Sequence, residues 1–244
     1  MKKLFKAIRH EDLEEVRAII EKKPDAISSV ATPPPKKDIG QSPLQVATKI
    51  GAFDIAYYLM EKDADVNFME EEIEGTQLRC PILQDAIRTA LQSLCYRQFE
   101  TSEKGVELVR ELLLRGADPN KCASNGFDAL NVCVSEAERV LDSQGAYPDA
   151  QEEAERQLVR LLDILIENGA DFKGWALRGH FPEPHPGEQN KVRYLDDFIP
   201  QEDCVHEITI RGKTHTTVYK GDIDRTAHTR AVMQAYCRDR NISI

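Results

Sequence analysis

The stretch from Asp38 to Asn67, DIGQSPLQVATKIGAFDIAYYLMEKDADVN, constrains the fold more than any other. Gly40, two residues before Ser42-Pro43-Leu44, suits a tight turn entering a helix. Pro43 is tolerated in a first helical turn, where the N–H it lacks has no intrahelical partner. Leu44 and Ala47 share one face of a short helix, and Gly51 stops it. Ile55, Ala56, Leu59 and Met60 mark a second helix, and Ala64-Asp65-Val66-Asn67 closes the unit. A helix pair this short cannot bury its own apolar face. It has to stack on neighbours of the same kind.

The rest of the chain supplies those neighbours. Forty residues earlier, Leu4 and Ala7 fall under Leu44 and Ala47, and Val16, Ile19 and Ile20 fall under Ala56, Leu59 and Met60. Residues 3–27 therefore read as a truncated first unit. Residues 81–120 read as a third, opening on Leu83 and Ala86 and closing on Arg115-Gly116-Ala117-Asp118-Pro119-Asn120. Its middle is stretched through LQSLCYRQFETSEK, where Leu91, Leu94, Cys95 and Phe99 keep near-helical spacing, so longer helices are expected rather than an irregular insert. Residues 121–173 form a fourth. Phe127-Asp128-Ala129-Leu130 starts it, Gly145 and Pro148 break it, and Leu158, Leu161, Leu162 and Leu165 carry the partner helix before Gly169-Ala170-Asp171.

Residues 38–67 resemble the ankyrin repeat: D-x-G-x-S/T-P-L-x-x-A, then G, then L-x-x-x-x-A-D-V-N. Gln45 stands where the family usually has His, and Asp63 where it usually has Gly. Gln can still hydrogen-bond the turn, and Asp tolerates a left-handed backbone. The resemblance covers about residues 3–173. It implies an all-α solenoid of four to five helix-turn-helix repeats, with 1–173 as the repeat domain. It also implies that turn tips and first helices hold a protein partner. Carried onto this chain, those positions are Asp38, Ile39, Gln41, Gln45 and Lys49, the acidic finger Glu70, Glu71, Glu72 and Glu74, then Arg88, Gln92, Lys121, Asn125 and Phe127.

Residues 174–244 fall outside the resemblance and read as a small α+β cap on the last repeat. GWALRGHFPEPHPGEQNKVRYLDDFIP suggests an irregular wrap in which Trp175 and Phe181 pack down. CVHEITIRGKTHTTVYK alternates as a β-hairpin turning at Arg211-Gly212-Lys213. Residues 224–239 read as a helix with Asp224 as N-cap and Ala227, Ala231, Val232, Ala235 and Tyr236 on one face.

Candidate chemistry is thin. Cys204, His206 and His215 could meet in space, but a tetrahedral metal site needs a fourth ligand, and no C-x-x-C or H-E-x-x-H supplies one. Asp196-Asp197 with Glu202-Asp203 lies among Pro and Gly and reads as a wet surface. No metal, cofactor or catalytic residue is expected. The six cysteines lack paired spacing and suit scattered thiols in a reducing, cytoplasmic compartment. MKKLFKAIRHEDLEEV lacks the apolar run of a signal peptide, and no segment has the ~20 apolar residues of a membrane span. Pro33 to Pro35 favour an extended connector.

The net charge is −10, and no basic patch of any length appears, which speaks against general nucleic-acid binding. The same balance suits a partner with a basic surface. The expected function is protein–protein binding, as an inhibitor, immunity-type or regulatory partner. The alternatives are a bacterial effector docking on a host protein and an enzyme with its site within 180–244.

Overall fold

Ser42 starts the central hairpin: its hydroxyl accepts the backbone N–H of Gln45 at 3.1 Å, and Pro43 takes the first helical position. The helix that follows, Pro43–Ile50, ends on Gly51, whose φ of +75° lets the chain reverse into Phe53–Glu61. This computed structural model describes residues 2–35, 38–71, 78–143, 146–178, 204–210, 213–219 and 227–242. The chain is mostly helical. In order, the helices are α1 (Lys2–Arg9), α2 (Leu13–Lys22), α3 (Pro43–Ile50), α4 (Phe53–Glu61), α5 (Ile82–Gln92), α6 (Phe99–Leu114), α7 (Ala129–Leu141), α8 (Pro148–Glu167), α9 (Phe172–Arg178) and α10 (Ala227–Asp239).

Four hairpins, α1/α2, α3/α4, α5/α6 and α7/α8, lie side by side in two rows. The odd helices α1, α3, α5 and α7 pack successively on one another, and the even helices α2, α4, α6 and α8 do the same. Leu44, Ala47, Ile55, Ala56, Leu59 and Met60, the face read from the sequence, are all buried, and so are Leu83, Ala86, Val109, Leu112, Leu158, Leu161, Leu162 and Leu165. They belong to one continuous apolar core that also takes in Trp175, Val232 and Tyr236. Burying one such side chain contributes roughly 1.5–3 kcal/mol.

The Ala-Asp-x-Asn closures bracket neighbouring hairpins. Asn67 donates its amide to the carbonyl of Gly116 at 2.8 Å and accepts the backbone N–H of Asp118 at 2.8 Å. Asn120 repeats the bracket on the next hairpin, to the Gly169 carbonyl at 2.9 Å and the Asp171 N–H at 2.9 Å. Within each closure the Asp carboxylate fixes the Asn, Asp65 accepting from Asn67 N–H at 2.9 Å and Asp118 from Asn120 N–H at 2.8 Å. A hydrogen bond nets only ~1 kcal/mol, so apolar burial holds the hairpins together and the brackets set how they align. The residue before each Ala-Asp is left-handed: Asp63 at φ +63°, Gly116 at +90° and Gly169 at +93°.

The third and fourth hairpins are long. α5 and α6 have 11 and 16 residues, and α7 and α8 have 13 and 20, against 8 and 9 in α3 and α4. The stretch around Cys95 is not one more helical turn, however. After Gln92 the chain makes a 3-10 turn, Ser93–Tyr96, and reverses at Arg97 with φ +55°, which leaves Cys95 exposed while Leu94 stays buried. Gly105 on α6 packs directly on Ala90 of α5; a Cβ at Gly105 would sit 2.7 Å from the Ala90 Cα.

α9 spans the boundary drawn between residues 173 and 174, and within it Phe172 and Trp175 pack together with ring centroids 5.3 Å apart. Strands β1 (Cys204–Ile210) and β2 (Lys213–Tyr219) pair antiparallel, with Ile210 opposite Lys213 and Ile208 opposite His215. α10 packs on α7 and α8. Its buried side is Thr229, Val232, Met233, Tyr236 and Cys237, whereas Ala231 is exposed and Ala235 half-buried. The larger side chains, not the alanines, face the stack. Phe181, Asp224 and the carboxylates Asp196, Asp197, Glu202 and Asp203 lie outside the described residues.

Two substitutions check this packing. Gly105→Val drives a side chain into α5 and is expected to lower stability by about 2 kcal/mol. Asp63→Gly relieves a left-handed non-glycine residue and is expected to raise it by about 1 kcal/mol. Urea unfolding followed by circular dichroism reads both.

Candidate functional site

The odd-row helices carry Gln45, Lys49, Arg88 and Gln92 of the sequence-predicted contact residues, and the structure ties Asp38, Gln41, Gln45, Glu70, Arg88 and Gln92 into a polar ladder that runs from hairpin to hairpin. At the first rung, Arg9 on α1 donates from Nε to Asp38 at 2.6 Å, and the Asp38 side chain is only 6% exposed. At the next, Gln41 donates to Glu70 Oε1 at 3.0 Å while the backbone N–H of Cys80 donates to Glu70 Oε2 at 3.2 Å. Glu70 is therefore not a finger tip. It is a buried clasp between the turn before α3 and the loop before α5.

Gln45 has no exposed surface, and its amide donates to the Cys80 carbonyl at 3.0 Å and to Asp85 Oδ2 at 3.2 Å. It reaches the neighbouring hairpin rather than its own turn. Gln84 occupies the same slot one repeat on, donating to the carbonyls of Phe127 at 2.6 Å and Lys121 at 3.2 Å. The sequence reading missed Gln84, although Leu83-Gln84 repeats Leu44-Gln45 and is the signal that finds it. In the fourth hairpin the slot is Asn131, which forms a reciprocal capping box with Asp128 at the start of α7.

The ladder ends on Glu136 of α7, also missed. Gln92 donates to its Oε2 at 3.0 Å, and the Arg88 Nε lies 3.5 Å from its Oε1. Arg88 also faces Asp85, with Nη1 3.5 Å from Oδ1. Arg88 and Gln92 are four residues apart on α5, so one acid on the next helix can meet both.

Of the remaining predicted positions, Lys121 donates its ammonium to the Asn67 carbonyl, Phe127 is half-buried against the core, and Ile39 is half-buried. Lys49, Glu71 and Asn125 are exposed, Asn125 accepting the Phe127 N–H at 3.2 Å. Glu72 and Glu74 lie outside the described residues.

The ladder's chemistry is structural. Asp85 is buried, and that burial pushes its carboxyl up to about 6 against the opposing pull of Lys49, Arg88 and the Gln45 amide. Burial likewise pushes the Cys80 thiol up to about 11 and the Cys133 thiol upward, so neither is a ready thiolate. Cys80, Cys95, Cys133 and Cys237 are free thiols. Among the described residues no group of three or more His, Cys, Asp or Glu side chains could hold a metal ion, and no helix is long and apolar enough to cross a membrane. The side chains of Cys204, His206 and His215 lie outside the described residues.

No protein-family model matches this chain, and no curated protein matches it.

The position of Asp85 fixes the sign of a pH effect. Its folded pKa lies above the unfolded value, so the group favours folding fully only below about pH 4, and that contribution fades as pH rises through 6. Asp85→Asn keeps an acceptor for Gln45 and removes the buried charge. At pH 7.5 it is expected to be more stable than the parent by up to about 3 kcal/mol, and the difference should close as pH falls through 6 to 4. Denaturant midpoints measured across that range give the test.

Proposed function

We propose that the chain is an α-solenoid of four ankyrin-like repeats, closed at its C-terminal end by the hairpin β1–β2 and α10, and that it works by holding a protein partner with a basic surface. The observation that carries this reading is the repeated hairpin with its Asn67 and Asn120 brackets. The same device twice in succession supports a repeat scaffold, and such scaffolds bind through the side chains that stacking leaves over.

What stacking leaves over here suits binding and not catalysis. Asp38, Glu70, Asp85 and Glu136 on the odd-row side are engaged with Arg9, Gln41, Gln45, Arg88 and Gln92. A general base or nucleophile has to be available to a substrate. The exposed Glu71 and Asn125 stand at the tips beyond the ladder, and the net charge of −10 favours a cationic partner. An inhibitor, immunity-type or regulatory role in the cytoplasm fits a scaffold of this kind.

Affinity capture from the native source, followed by titration of the purified partner, tests the reading. A one-to-one complex with a protein bearing a basic patch is expected, weakening as salt is raised. Changing Glu71, Glu72 and Glu74 together to Lys is expected to weaken it at least about tenfold and to flatten its salt dependence. No complex, or turnover of a small molecule by the purified chain, overturns it.

A further inference from the structure

The extra turns of the third and fourth hairpins create a surface that the ladder does not use. Over its first turns α8 buries only a narrow stripe, Ala150, Ala154, Gln157 and Leu158. Its other faces, with the start of α6, border an open groove of about 810 Å³. Phe99 and Val159 are the apolar lining, both half-buried and packed against the core. Four carboxylates, Asp149, Glu152, Glu153 and Glu155, face two guanidiniums, Arg156 and Arg160.

Those guanidiniums are already engaged. Arg160 donates to Glu103 at 2.7 Å and to Glu107 at 3.0 Å, and Arg156 donates to Glu153 at 2.6 Å. Hydrogen bonds from Arg160 and Gln157 hold Glu103 below the usual carboxylate range. Glu152 is exposed and makes no ion pair among the described residues, and Glu155 has only His228 Nε2, at 3.7 Å. The groove is thus left acidic.

Two exposed aromatic residues, Tyr96 and Tyr147, lie within three residues in sequence of the lining residues Phe99 and Asp149. Tyr147, just before α8, is 56% exposed and carries the Arg97 guanidinium over its face at 4.9 Å; Arg97 also pairs with Asp149. Tyr96, next to Arg97, is 78% exposed. Exposed aromatics beside a concave apolar strip are costly in water and anchor partners when covered.

We propose that this groove is a docking surface for a polypeptide segment carrying Lys or Arg next to an aliphatic or aromatic side chain. The apolar side chain would cover Phe99 and Val159, and the cation would meet Glu152 and Glu155, the two acids with the least compensation. Charge complementarity selects this occupant: an acidic segment or a nucleic-acid backbone meets like charge here. The inference rests on the protein-binding reading and adds a second contact, on a face other than the Glu71 finger.

The test uses the full chain and three labelled synthetic peptides followed by fluorescence anisotropy: one alternating Arg and Leu, one oligo-Arg of equal charge, and one alternating Glu and Leu. The Arg–Leu peptide is expected to bind at least about tenfold tighter than either other. Tyr147→Ala combined with Glu152→Lys is expected to lose about tenfold of that affinity, while Glu71→Lys leaves it unchanged. All altered side chains are exposed, so melting curves should match the parent. Equal binding of oligo-Arg, unchanged binding by the groove variant, or parent self-association abolished by Tyr147→Ala would each overturn the groove assignment. If the natural partner still binds the groove variant and is lost by the finger variant, the groove fails and the broader function stands.

Discussion

Each hairpin in this chain is dry on its apolar face only because another hairpin lies against it. α3 and α4 have 8 and 9 residues, too short to be stable helices in water by themselves. Burial of Leu44, Ile55 and Leu59 between neighbours supplies several kcal/mol per hairpin. That is more than the Asn67 and Asn120 brackets can give. The brackets matter for a different reason: apolar faces slide, and a two-point hydrogen bond to a glycine carbonyl and an aspartate N–H does not. The stack's end needs the same treatment. α10 covers α7 and α8, and the Asp142 carboxylate at the end of α7 accepts the backbone N–H groups of His228 at 2.9 Å and Thr229 at 3.1 Å, where a helix start welcomes negative charge. Farther along, Asp163 receives Tyr236 and Arg240, fixing the angle of the helix.

The polar ladder is a second layer of specification inside that arrangement. Gln45 and Gln84, each nearly unexposed, reach backbone carbonyls on the loop of the next hairpin. A buried amide without its partner costs about 1–3 kcal/mol, so a displaced loop is penalised even where apolar contact would tolerate it. Asp85 shows the limit of this strategy. Its charge is buried with Arg88 at 3.5 Å, and desolvation outweighs the attraction, as its raised pKa records. Asp85 links α5 to α3 through Gln45, and Arg88 beside it carries the connection on to Glu136 of α7.

The local parts of this structure were legible because their causes are local. Ser42-Pro43 and Gly51 announce a helix start and stop, and the spacing of Ile55, Leu59 and Met60 announces its buried face. The left-handed Asp63 could be anticipated from Asp chemistry. What could not be read was every feature decided by a partner distant in sequence. Glu70 looks like one acid in an exposed run until Gln41 and the Cys80 N–H are placed on it. Gln45 looks like a turn residue until Asp85 arrives. Arg97 gives no sign that it turns the chain, being neither Gly nor Asn. On α10 the alanines marked a face, but volume decided it, and Met233 and Cys237 pack where Ala231 does not.

These two layers narrow where recognition can occur. A side chain bound into the ladder cannot be offered to another protein without opening a buried hydrogen bond, so Gln41, Gln45 and Glu70 are expensive as contacts. The even row is different. Its long helices α6 and α8 are joined by surface ion pairs such as Glu103–Arg160, worth ~1 kcal/mol or less where water screens them. Rearranging them is cheap, and the aromatic Tyr96 and Tyr147 gain from being covered. Lengthening α6 and α8 relative to α4 adds a narrow buried stripe, Ser102 and Gly105 on α6 and Ala150 and Ala154 on α8. It also adds the acidic wall of the groove on α8, which ion pairs such as Glu107–Arg160 tie to α6 of the neighbouring hairpin.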